Sequence, residues 1–307
     1  MNLPPLSLVD GALLIDNSML EGLTTCPRST EYSFLHKRKA AEERPALNFG
    51  GSIHAALAHR YKQDSEGIDA KTEQEQVKLL EDWYAEKPNP EEDFRNLDKA
   101  VSVISNYNRE YMIEPFIPLE MEKGKCVEQS FAFHIFDVES KVYGKVRIIY
   151  TGRIDLVVEW EHQIFTVDHK TTSIMGNQFF EELSMSPQQM GYAWALSKSI
   201  GKAPTGYMIN AICCRRPTKT GVGIEFARNR YYLSQEQIDE WKHNLQALVE
   251  EFVWNYDRDY MPQKKKWCVG KYGKCPYFDV CSLPVMQRGL MLDSGMYEDN
   301  KWSPLNV

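Results

Sequence analysis

The stretch from Gly152 to Lys170, GRIDLVVEWEHQIFTVDHK, constrains this chain more than any other. Two apolar, β-branched runs, RIDLVVEW and QIFTVDHK, flank a polar break at Glu161-His162, the pattern of a β-hairpin. With those two residues as the turn, positions whose numbers sum to 323 face each other across the strands, and Asp155 and Asp168 form such a pair. Direct cross-strand partners have Cβ atoms roughly 5 Å apart, and like charges so placed destabilise a sheet unless something neutralises them. Lys170 follows Asp168 by two residues and therefore shares its face. A divalent cation at the two carboxylates, with Lys170 as a fixed charge beside it, is the economical neutraliser. The plainer alternative is a solvent-facing hairpin edge with scattered charges, but both strands are too apolar for an exposed ribbon.

At 307 residues the chain has ample length for a real core, as one large domain or two. Its 43% hydrophobic and 26% charged residues are those of an ordinary globular protein. No apolar run approaches the ~20 residues that a membrane span needs, and MNLPPLSLVDGALLID lacks the basic start and cleavage site of a signal peptide. A cytoplasmic location without membrane association is therefore expected. Seven cysteines, an odd number, argue against a disulfide framework and for a metal or buried thiols. The net charge of −7 excludes a non-specific polycation, so any nucleic-acid surface must be local. Arg215-Arg216 with Lys219, and Lys264-Lys265-Lys266 beside Trp267, are candidates, with a solvated face as the alternative.

Along the chain, Ser18 with Glu21 has the spacing of a capping box, and helical patterns follow at 49–62, 72–86 and 91–113, the last two separated by Pro88-Asn89-Pro90. The block to about residue 120 is read as helical. Strand signals occupy 126–136 and run from Val142 into the opening hairpin, with a turn near Glu139-Ser140. Ser186-Pro187 starts a helix ended by Gly201, two strands follow, and Ser234 with Gln237 caps a long helix to about Tyr256. The rest reads as cysteine-rich loop and tail. The order predicts a mixed sheet flanked by helices, α/β or α+β. Three regions of one integrated domain are expected: 1–120, 121–260 and 261–307.

Gln188 and Tyr192 are four apart on the helix after the hairpin and share a face, where an amide and a phenol could hold a phosphate or an attacking water. His54 and His59 are five apart, fall on different helix faces and lack the HExxH glutamate, which rejects a zinc-protease reading. His54 alone could still present its imidazole to a metal. Cys268, Cys275 and Cys281 have six and five residues between them, wider than the pairs of most zinc modules. That spacing favours an iron–sulfur cluster with Cys26 as the distant fourth thiolate, zinc at the same cysteines being the alternative. Cys126, Cys213 and Cys214 read as small buried hydrophobes. There is no GxxxxGK[ST] phosphate loop, so no motor is expected in the chain itself.

Taken as a set, His54, Asp155, Asp168-His169-Lys170 and Gln188-x-x-x-Tyr192 resemble the motif series of the PD-(D/E)XK nucleases, RecB-like branch. Cys26 with Cys268, Cys275 and Cys281 is similar to the iron–sulfur nucleases of that branch, which include AddB-type and CRISPR-associated exonucleases and phage relatives. The resemblance covers roughly residues 18–285. It implies a restriction-endonuclease-like core sheet with an N-terminal helical region and a C-terminal cluster region. It also implies a Mg²⁺- or Mn²⁺-dependent DNA nuclease, an exonuclease on ends or single strands, with a helicase or a recombination or CRISPR-adaptation complex as partner. For a phage relative the location would be the host cytoplasm. Asp155, Asp168 and the backbone carbonyl of His169 would supply hard oxygen ligands, and His54 a nitrogen ligand favouring Mn²⁺. Lys170 would orient water or stabilise developing charge, with Gln188 and Tyr192 positioning nucleic acid. A [4Fe–4S] cluster on the four cysteines would hold Lys264, Lys265, Lys266, Lys271 and Lys274 near it to guide DNA, and Arg215 and Arg216 are further contacts. The contrasting expectation is a non-catalytic DNA-binding or recombination-complex subunit that keeps the fold. The complete acid–acid–lysine set favours the enzyme.

Overall fold

A computed structural model describes residues 3–41, 44–63, 69–122, 124–218, 221, 223–270 and 273–302. Lys219 and Lys271 lie outside the described residues. The chain divides into two compact units: Met1–Glu42, Ser130–Gly152 and Asp239–Val307 form one, Glu43–Gln129 and Arg153–Ile238 the other. Three of the four boundaries fall inside continuous elements, strands Val127–Ser140 and Gly144–Trp160 and helix Gln235–Tyr256.

The unit containing the 153–238 segment holds the opening hairpin. Glu161 and His162 both have positive φ, 54° and 63°, the left-handed pair that closes a two-residue hairpin with the right twist. The register is the expected one, from Trp160↔Gln163 to Leu156↔Val167, every pair summing to 323. Strand Gln163–Thr172 also pairs in parallel with Gly206–Cys214, which pairs antiparallel with Ile224–Tyr232. A parallel neighbour requires a crossover. Helix Pro187–Ile200 supplies it, so its first turn follows the carboxyl end of strand Gln163–Thr172. Pro187 stands in the first turn, where its missing N–H costs nothing, and Gly201 ends the helix at φ 74°.

Helices Pro45–Lys62, Ala70–Glu86 and Leu97–Glu110 complete this unit. The last begins six residues later than the pattern predicts. Asn96 caps it by accepting from Lys99 N at 3.0 Å, and the chain after Pro90 remains a turn. Ile53, Leu57, Leu80, Val103 and Ile104 pack with Leu156, Val158, Phe165 and Met208 in one apolar cluster. Gly51 permits that packing: a Cβ there would lie 2.9 Å from Trp83.

In the other unit the first strands correct the all-helical reading of residues 1–120. Leu8–Val9 and Ala12–Ile15 form a hairpin about Asp10-Gly11, and Ala12–Ile15 pairs in parallel with Arg147–Tyr150. An Asp-Gly flanked by apolar residues is the local signal for it. Asp16, not Ser18, caps helix Asn17–Thr25, accepting from Met19 N at 2.8 Å. The C-terminal region is more ordered than a loop and tail. Short helices Phe278–Ser282 and Val285–Leu292 follow one another, and Tyr297–Asp299 pairs with Arg38–Ala40. Tyr32, Tyr277, Val280, Leu292 and Tyr297 form their core.

Candidate active site

The ladder of the opening hairpin stops one pair short of Asp155 and Asp168. Backbone donors in a sheet still need partners, and Asp155 supplies one: its Oδ2 accepts from the backbone N–H of His169 at 2.9 Å. The same oxygen lies 3.4 Å from His54 Nδ1, which helix Pro45–Lys62 brings in. Glu128, at the start of strand Val127–Ser140, completes the group. One ligand atom each from His54, Glu128 and Asp155 lies within 4.8 Å of the other two.

Glu128 is the residue that reading the sequence missed. It stands 27 positions before Asp155 with no local motif. Its backbone carries a positive φ of 53°, unusual outside glycine, and Arg153 holds its carboxylate at 2.7 Å. Asp168 and the His169 carbonyl were expected in the ligand set, but the set of three that converges does not include Asp168.

Asp168 is buried and engages Lys170, whose Nζ lies 3.1 Å from Oδ1 and 2.9 Å from Oδ2. The hydrogen bond runs to Oδ1, leaving buried Oδ2 without one. Lys170 also donates to Gln188 Oε1 at 3.0 Å, and Gln188 Nε2 donates to the Tyr192 hydroxyl at 2.8 Å. The four expected residues Asp168, Lys170, Gln188 and Tyr192 thus form one hydrogen-bonded chain beside Asp155. The i,i+4 spacing and the crossover place it there.

The charges of the two aspartates are set differently. Burial pushes Asp155 up, but His54 and the His169 N–H outweigh it and hold the carboxyl down at about 2. Asp168 moves up, because burial and the nearby Asp155 charge outweigh Lys170. Burial lowers His54, yet Asp155 and Asp168 leave it raised. Burial and the Asp155 charge raise Glu128. His169, fully buried, is driven down to about 3 by desolvation and is neutral at physiological pH. Its ring stacks on Tyr61 with centroids 5.8 Å apart, and Asn210 Nδ2 meets its Nδ1 at 2.7 Å.

These groups fit a hard divalent cation: two carboxylates and an imidazole converge, and the Asp168 carboxylate, ion-paired to Lys170, stands beside them. Among the described residues no other trio of His, Cys, Asp and Glu comes within the same spacing.

In the other unit, Cys26, Cys268, Cys275 and Cys281 line one small cavity of about 40 Å³. Lys264 N lies 3.4 Å from Cys26 Sγ, and Gln263 Nε2 lies 3.5 Å from Cys268 Sγ. No three of these sulfurs fall within 4.8 Å of one another. Cys126, Cys213 and Cys214 are buried as small apolar residues. Lys264, Lys265, Lys266 and Lys274 are exposed. Arg215 is paired with Glu225 at 2.8 Å, and Arg216 lies over Phe94, 5.2 Å from its centroid.

A mixed sheet flanked by helices, with the acid–acid–lysine set on a hairpin and its crossover helix, defines a nuclease class. The sequence profile of the PD-(D/E)XK nuclease superfamily matches residues 17–282, and the chain belongs to that family. Among solved structures it is similar to one described as "Crystal structure of SSO0001", at 13% identity and a TM-score of 0.32. That match covers 87% of this chain and 95% of the other. No curated protein matches. No described helix is long and apolar enough to cross a membrane.

Proposed function

We propose that the protein is a Mg²⁺- or Mn²⁺-dependent DNA nuclease of the RecB-like branch, an exonuclease on ends or single strands. The observation that carries the reading is the convergence of His54, Glu128 and Asp155 next to the Asp168–Lys170–Gln188–Tyr192 chain. His54, Glu128 and Asp155 would hold the metal, with Asp168 and the His169 carbonyl as further oxygen donors. When bound, the metal supplies Lewis-acid stabilisation of phosphate charge and a more acidic water. Asp168 and Gln188 fix the Lys170 ammonium from two sides, so its charge is in place before the phosphate arrives. A preset cation of that kind stabilises the charge that builds on the phosphoryl oxygens. Tyr192 orients the Gln188 amide.

The four-cysteine cavity is part of the proposal. The gaps of six and five residues between Cys268, Cys275 and Cys281, wider than most zinc modules use, and the shared cavity with Cys26 support a [4Fe–4S] cluster, with zinc at the same cysteines as the alternative. N–H groups near Cys26 and Cys268 would stabilise thiolate charge. Four thiolates leave no open position, so the role is structural, tying Cys26 to residues 242 positions later. We infer a cytoplasmic location and, from the family resemblance, a helicase or a recombination or CRISPR-adaptation complex as partner.

The test is digestion of 5′- and 3′-labelled single- and double-stranded DNA with Mg²⁺, Mn²⁺ or chelator, using native protein and Asp168→Ala. Metal-dependent shortening from one end, lost in the variant, is expected. Near-normal cleavage by Asp168→Ala would overturn the assignment. Colourless, anaerobically purified protein with stoichiometric zinc and no iron would overturn the cluster.

A further inference from the structure

Three large aromatic rings lie half-exposed along one short segment of the Asp239–Val307 unit: Trp254 at 54%, Tyr260 at 56% and Trp267 at 50%. Each carries a cation on its ring. Arg258 lies 4.2 Å from the Trp254 centroid, Arg28 5.0 Å from Tyr260, and Lys266 5.6 Å from Trp267. Each of these residues keeps about half of its surface exposed beside its cation. Residues 254–274 contain six basic and two acidic side chains in a chain of net charge −7. Both acids are engaged internally: Asp257 accepts from Ser140 Oγ at 2.6 Å and Lys141 N at 2.7 Å, and Asp259 from Leu3 N at 2.6 Å.

We propose that Trp254, Tyr260 and Trp267 form a stacking platform for the bases of an unpaired nucleic-acid strand, with Arg258, Lys265 and Lys266 meeting its phosphates. A ring beside a cation matches the nucleotide unit, which offers a flat base and an anion together. A duplex hides its base faces in the stack, so only an unpaired strand can use the rings. An apolar protein partner would leave the cations unmatched. The inference rests on the nuclease reading for its choice of ligand, and it assigns the single-strand preference to the cysteine-bearing unit.

The test uses the full-length protein in EDTA, with tryptophan fluorescence and anisotropy reading its binding. The probes are a thymidine oligonucleotide of roughly 16 residues, an abasic strand of equal length and a duplex. Native protein should be quenched by the thymidine strand and bind it on the order of tenfold or more tighter than the abasic strand. The triple Trp254→Leu/Tyr260→Leu/Trp267→Leu variant should lose roughly 10²-fold or more of that affinity while keeping the same salt slope. Phenylalanine at the same three positions should retain most of the affinity, which separates lost stacking from misfolding. Replacing Lys265 and Lys266 by alanine should instead lower the slope of log K against log salt by about 1.4. Equal affinity for the abasic strand, tighter binding of duplex, full binding by the leucine variant or no binding of any probe would each overturn the proposal. If native protein stacks bases but never cleaves with either metal, the nuclease reading fails and the platform stands. If it cleaves and the leucine variant binds normally, the platform alone fails.

Discussion

Glu114 is the partner whose loss should cost most outside the catalytic chain. Its carboxylate accepts from Arg228 at 2.5 and 2.9 Å, from Arg60 at 3.1 Å and from the Tyr61 hydroxyl at 2.8 Å. The side chains are only 13%, 10% and 6% exposed for Glu114, Arg228 and Arg60, so one anion compensates two poorly solvated cations. Glu114→Gln keeps the shape and one acceptor but leaves both guanidiniums unneutralised. Removing one partner of a buried ion pair costs ~3–5 kcal/mol. Arg60 keeps Asn108 Oδ1 at 3.1 Å and the Tyr111 carbonyl, which places the loss at the lower end, about 3 kcal/mol. Against a total of roughly 5–15 kcal/mol, that is a large fraction. Urea unfolding at neutral pH would read it as a lower midpoint at unchanged m-value. Adding Arg228→Met removes the surplus cation, so the double variant should be no less stable than the single one. A single variant within about 1 kcal/mol of native protein, or strictly additive effects in the cycle, would refute the reasoning. The same substitution should weaken Mn²⁺ binding, because Arg228 donates to Asn210 at 3.2 Å and Asn210 meets His169, whose N–H holds Asp155.

Lys170→Met should lower cleavage by roughly 10²–10³-fold and also lower the melting temperature, because buried Asp168 loses its ammonium partner; steady-state digestion and thermal unfolding read the two effects. Glu128→Gln should weaken Mn²⁺ affinity by about tenfold or more in calorimetric titration, while Glu120→Gln, on an exposed strand, should not. His54 has a folded pKa raised by Asp155. Its contribution to stability is therefore fully present below the unfolded value of ~6.5 and is lost as pH rises through the folded value. In EDTA, native protein should exceed His54→Gln in melting temperature by more at pH ~5.5 than at pH ~8.5. Replacing Cys26, Cys268, Cys275 or Cys281 by serine should lower visible absorbance and stability together, whereas Cys126→Ser should leave absorbance intact.

What the sequence made legible is what adjacent residues determine. Period-two apolar runs about Glu161-His162 fixed the hairpin register, and the register put Asp155 beside the Asp168 end of its partner strand. The i,i+4 rule linked Gln188 to Tyr192, and the parallel crossover joined both to Lys170. Cap chemistry was legible where both halves were present: Ser234 N donates to Gln237 Oε1 at 2.9 Å, and Gln237 N lies 3.3 Å from Ser234 Oγ. It misled at Ser18, because Asp16 two residues earlier accepts the N3 donor first. The Asp10-Gly11 hairpin was lost among helical signals, since a four-residue strand is too short for periodicity to declare.

Glu128 and Asn210 were illegible for a different reason. Each acts through a contact that no spacing rule encodes. Glu128 reaches His54 and Asp155 from a strand start held at positive φ, and only the tertiary path of Val127–Ser140 brings it there. Asn210 looks like an ordinary polar residue in the apolar run GYMINAICC, a place where an amide normally costs stability. It is buried there because it is satisfied on every side, by Tyr107, His169 and Arg228. A buried polar group with all its partners rigidifies what it touches. What Asn210 touches is the ring of His169, whose backbone N–H holds Asp155 in the proposed metal group. The central Asp-x-Lys motif is thus steadied through its own middle residue: Asp168 and Lys170 join the Gln188–Tyr192 chain of the candidate site, while the His169 ring is anchored by Asn210 and packs edge-on against His54.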